Sequence, residues 1–204
     1  EEVSSAYHAA HAGHKEGAAL QPIYERHRAA YDDEAFAMAL ELFKGSAPVG
    51  DAQVSEDHRS ARLILDWLLE SRVGRELAAL DEREIAWEGA AVIRTSDGGE
   101  EPYQRASITI ANERDARVRH AIDDARAALV QDELAPMKRE KLEREHEIVA
   151  KLGVASTYNA TWEALSGVSV AALRAECEAF LRDTQAMWDE LLPFYVKKGL
   201  GMAL

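Results

Sequence analysis

The stretch L-R-A-E-C-E-A-F-L-R-D-T-Q-A-M-W-D-E-L-L-P-F-Y, residues 173–195, decides the fold. Leu173, Cys177, Phe180, Leu181, Thr184, Met187, Trp188, Leu191 and Tyr195 recur at steps of three and four, which is the period of an α-helix with one apolar face. A strand would alternate at every second residue, and this stretch does not. The spacing predicts one helix over about 170–196, bent near its end by Pro193. An apolar face of that length needs cover. The helix is therefore expected at the centre of the fold, with Leu173, Phe180, Leu181, Met187, Trp188 and Leu191 buried and the lone Cys177 facing inward.

Working back along the chain, Ser156 or Thr157 caps a short helix that ends near Gly167. Pro136 restarts the chain into a highly charged helix closed by Gly153. Asn112 with Asp115 opens a helix whose inner face is Val118, Ile122, Ala125 and Leu129. The run A-S-I-T-I at 106–110 alternates, yet a lone five-residue strand has no partner, so helix is preferred. Ser55 caps a helix carrying Leu63, Ile64, Trp67, Leu68 and Leu77, and a continuation or further helix carries Leu80, Ile85, Trp87, Val92 and Ile93. Pro22 opens a helix with Ile23, Ala30, Phe36, Leu40 and Phe43 inward up to Gly45, and residues 1–20 form a short, loosely attached one. Breaker clusters fall at 45–51, 96–102 and 153–156. The expectation is a single all-α domain over 1–204, an irregular bundle of about six to nine mostly antiparallel helices.

Composition agrees. Alanine fills 37 positions and leucine 20, against 25 for Val, Ile and Thr together, which favours helix over strand. At 204 residues, with 47% hydrophobic and 30% charged residues, the chain can bury a real core. The net charge of −13 argues against nucleic acid and anionic membrane as partners, since both are bound through excess Lys and Arg. One cysteine forms no internal disulfide, which fits a reducing, cytoplasmic compartment, with export as the alternative. The start at Glu1 is expected of a trimmed or processed chain, with any signal peptide already removed. No apolar run reaches the length of a membrane span.

Several clusters invite a chemical reading. His8, His11 and His14 could offer imidazoles to a metal, but on a helix the outer two stand about 120° apart, and no acidic third ligand is fixed beside them. His146-Glu147 opens the zinc-protease pattern H-E-x-x-H, and Ala150 stands where the second histidine is needed. Glu143 and His146 form one E-x-x-H, half of a di-iron carboxylate site that has no second half here. No catalytic residue and no metal ligand is therefore expected. Trp67, Trp87, Trp162 and Trp188 read as core, although Tyr158, Trp162 and Trp188 could line a peptide or ligand pocket.

Three longer segments carry a resemblance: I-A-N-E-R-D-A-R-V-R at 110–119, L-G-V-A-S-T-Y at 152–158, and F-L-R-D-T-Q-A-M-W-D-E-L-L-P at 180–193 followed by K-K-G-L-G at 197–201. In that order they resemble the helical region ahead of the catalytic half in zinc metallopeptidases of the thimet oligopeptidase and oligoendopeptidase F type. The resemblance implies a non-catalytic lobe forming one wall of a peptide channel, with zinc bound only by a longer parent protein. No family catalytic residue maps onto this chain. The alternative is a self-contained helical module that binds a peptide or protein. The partner is then either the rest of a longer parent chain or a separate polypeptide.

Overall fold

A computed structural model of the chain describes residues 1–12, 14, 17–48, 54–96 and 98–201. Among the described residues the fold is all-α with one two-stranded hairpin. It divides into two compact units, Glu1–Thr157 and Tyr158–Leu204.

The axis of the first unit is α4, the 35-residue helix Glu56–Ala90. Ser55 starts it, its hydroxyl accepting from the His58 N–H at 3.1 Å. Leu65, Leu68, Val73, Leu77, Ala78 and Ile85 form a buried stripe along it. Against this stripe lie α1 (Glu2–His11), α2 (Leu20–His27), α3 (Asp33–Gly45) and α7 (Ala135–Leu152). The core between α1, α2 and α4 is built from small residues, Ala6, Ala10, Ala18 and Ala78, around the fully buried Leu20. Small side chains let the helices approach closely. Gly74 marks the tightest point, because a Cβ there would run into the Tyr24 hydroxyl. The amino-terminal helix, expected to be loosely attached, is thus held through Ala6 and Ala10, packed with Leu20.

The helical continuation expected for Val92 and Ile93 does not occur. Ala91 turns extended (φ −65°, ψ 135°), and Val92–Arg94 forms β1 against β2 (Glu100–Pro102), with Val92 opposite Pro102 and Arg94 opposite Glu100. The β-branched pair is followed by D-G-G, and Gly98, at φ 87°, supplies the left-handed residue that the turn needs. Ile93 is then buried against Ala106 of α5 (Tyr103–Asn112) and Ile122 of α6 (Ala116–Leu129), a second small core. The segment 106–110 is helical, as its lack of a strand partner implied. Val118, expected inward on α6, is exposed.

Pro136 does not restart the chain. Helical structure runs from α6 through a π turn, Val130–Leu134, into α7, so the proline's missing N–H falls where the ordinary ladder is already interrupted. Gly153 closes α7 in the left-handed conformation (φ 68°).

The second unit holds α8 (Tyr158–Ser166) and α9 (Val170–Leu200), which runs without interruption through Pro193. The expectation for α9 is reversed. No described residue of α9 is buried, Phe180 is 66% exposed, and Leu173, Leu181, Met187, Trp188, Leu191 and Cys177 are exposed as well. Periodicity reports which face of a helix wants cover, and says nothing of where the cover comes from. The reading of the tryptophans as core is corrected too. Trp67, Trp162 and Trp188 are exposed, and Trp87 is half-buried, its indole N–H donating to Glu133 at 2.7 Å. Leu63 and Ile64 also point outward on α4.

Candidate functional site

The most polar interior point of the first unit is Asp81 on α4, only 7% exposed. The Tyr7 hydroxyl of α1 donates to its Oδ2 at 2.5 Å, and Lys141 of α7 forms an ion pair with Oδ1. One turn on, Glu84 takes Lys138 at 2.5 Å and shares Lys141 at 3.5 Å. Burial, and then the bond to Asp81, push the Tyr7 hydroxyl far above the usual phenol range. Burial acts against Lys141 and Glu84 in their charged forms, but the mutual ion pairs outweigh it. Lys141 is held above its ordinary value and Glu84 below.

The same face carries Arg83 paired with Glu140, and Arg144 at 3.5 Å from Glu76, making a charge ladder between antiparallel helices. Each acidic partner before 85 meets a basic one whose number falls as its own rises, as in Asp81 with Lys141 and Glu84 with Lys138. That inverse register is a signal the sequence holds, legible once the two helices are known to be neighbours. Chemically, the cluster is a set of saturated pairs. It pins α1 and α7 to α4.

The candidates from sequence separate. His8 and His14 are exposed, and His11 lies 2.9 Å from the Tyr7 carbonyl through Nδ1 and 3.8 Å from Glu88 through Nε2. Glu143 and His146 are both exposed on α7. Among the described residues, no three His, Cys, Asp or Glu side chains are placed to share a metal ion. Tyr158 is half-buried and Trp162 is 43% exposed one turn further along α8, while Trp188 lies midway along α9.

What the structure offers instead is apolar surface. A groove of about 820 Å³ runs between α3 and α4, floored by Met38, Leu42 and Ile64 and edged by Glu41 and Asp57. The longest such surface is α9, where Leu173, Phe180, Met187, Trp188, Leu191 and Phe194 stand exposed over nearly six helical turns. Among the described residues, no helix is long and apolar enough to cross a membrane. No family model, no curated protein and no solved structure matches the chain.

Proposed function

We propose that this chain is a non-catalytic helical docking module that presents the apolar stripe of α9 to another polypeptide. The observation that carries this reading is a 31-residue helix with large apolar side chains in helical register and no described residue buried. An exposed stripe of this size on a folded protein marks an interaction surface. An isolated helix in water is also only marginally stable, so α9 gains from being covered. The first unit, held together through Asp81, carries a second apolar surface in the α3–α4 groove.

The test is to replace Phe180 and Trp188 by serine in the full chain. A docking surface loses its binding of an apolar dye, and the urea midpoint of the first unit stays unchanged. A loss of about 3–5 kcal/mol in unfolding free energy would instead make the stripe internal core and refute the reading.

The same uncovered stripe supports a second reading, in which the cover is a later part of one longer polypeptide of the oligopeptidase type. Zinc and peptidase activity would then belong to that parent protein. A natural reading frame that continues past Leu204 into an H-E-x-x-H segment favours this second reading, and a frame lacking one favours the first.

A further inference from the structure

The stripe on α9 is built on a stricter repeat than an ordinary amphipathic helix. Leu173, Phe180, Met187 and Phe194 recur every seven residues, and Cys177, Thr184 and Leu191 fall four residues after the first three of them. The alternation of four and three is the a/d pattern of a coiled coil. Beside it Leu181, Trp188 and Tyr195 form a third row, again seven apart, which widens the apolar face. On the other flank the seven-residue row is charged: Glu176, Asp183, Glu190 and Lys197.

From this we infer that α9 pairs with α9 of a second copy of the chain, antiparallel, about a two-fold axis between Thr184 and Met187. The inference rests on the docking reading above and names the occupant of the stripe. Three observations select a second copy and this orientation. The helix carries four cations and five anions, a net of −1 in a chain of −13, so two acidic copies can bring this face together without strong repulsion. Antiparallel pairing places Cys177 opposite Phe194 of the second copy, Phe180 opposite its Leu191 and Thr184 opposite its Met187, and the symmetry repeats each layer. The same register sets Glu176 against Lys197 of the second copy, Arg174 against its Tyr195 and Trp188 over its Leu181, all twice. It also brings Asp183 near Glu190 of the second copy, an exposed like-charge pair whose cost is screened.

The parallel arrangement matches charge less well along the rim. It flanks Leu181, Trp188 and Tyr195 with the carboxylates of Glu176, Asp183 and Glu190, forms no opposite-charge pair along the rim, and stacks Lys197 and Lys198 of both copies at one end.

The experiment uses the full chain in sedimentation equilibrium up to about 100 µM, since a reversible dimer is concentration-dependent. The expected result is a dimer that Phe180→Asp weakens roughly 100-fold or more, since each copy loses a central contact. Glu176→Lys weakens it about 5–10-fold, and adding Lys197→Glu restores it, because the reversed pair attracts again. Orientation is read with a mild copper–phenanthroline oxidation. In the wild type the two Cys177 thiols lie about 25 Å apart along the paired helices and stay unlinked, whereas Phe194→Cys places a new thiol opposite Cys177 of the other copy and gives a covalent dimer. A wild-type disulfide dimer would overturn the antiparallel register, and a dimer indifferent to Phe180→Asp would overturn the role of α9. A monomer throughout overturns the pairing, and Cys177 reactivity then separates the two readings. Fast labelling leaves the stripe open to a different partner, while slow labelling means its own chain covers it and the docking reading falls as well.

Discussion

Replacing Asp81 by alanine should do more damage than any other single polar change in the first unit. Its carboxylate holds the Tyr7 hydroxyl at 2.5 Å and the Lys141 ammonium, so one substitution leaves a half-buried hydroxyl and a half-buried cation each short of a partner. Breaking a buried pair typically costs about 3–5 kcal/mol. The lower end applies, because Lys141 keeps Glu84 at 3.5 Å and its side chain is 32% exposed. We expect about 3 kcal/mol in urea unfolding, or roughly 6–12 °C in melting temperature for a unit of this size. The double variant Asp81→Ala with Lys141→Met should lose less than the two single losses combined by about 1 kcal/mol or more, since the second change removes the stranded charge. A single-variant loss under about 1 kcal/mol, or strict additivity, would refute the claim that this network pins α1 and α7 to α4.

Further outcomes follow from the same geometry. Glu84 sits below its ordinary value of 4.5, so its share of stability is present above that pH and is lost as the pH falls through the native value; Glu84→Gln should flatten that acid limb in urea titrations. Tyr7 and Lys141 are both raised, from 10.0 and 10.5, so their contribution is complete below pH 10 and is lost as the pH climbs; Tyr7→Phe should shallow the alkaline limb. Gly74→Ala drives a methyl into the Tyr24 hydroxyl and should cost about 1–3 kcal/mol, with Tyr24→Phe recovering part of it in thermal melts. Ile93→Ala empties the centre of the hairpin core and should cost about 2–4 kcal/mol, visible as faster amide exchange in α5 and α6.

Most helices were legible from local chemistry, but the single helix expected from Pro22 to Gly45 breaks at a tight turn, Arg28–Tyr31, into α2 and α3, and Ala30 is exposed there. Ser55, Gly153 and the periodic runs on α6 and α9 act through hydrogen bonds and side chains within a few residues, so their effect is written in the local sequence. Three local features were overridden by packing. Val92 and Ile93 left the helix because a turn at Gly98 brought Glu100–Pro102 back as a partner, a pairing that no five-residue window contains. Pro136 was absorbed by a π turn, and Trp67 with Leu63 and Ile64 faced outward although their spacing is that of a buried face.

The amino-acid sequence by itself determined that this is an all-α chain, where most of its helices begin and end, and which face of each is apolar, because those properties depend on neighbours three and four residues away. Only the tertiary structure decided which apolar faces this chain covers. The small residues Ala6, Ala10, Ala18 and Ala78 let α1 and α2 close on α4, so α4 became the centre, with Asp81 sealed beside Tyr7 and Lys141. The stripe of α9, the strongest periodic signal in the chain, stayed open. A hydrophobic period sets the demand for burial, and whether that demand is met depends on contacts between residues far apart in sequence.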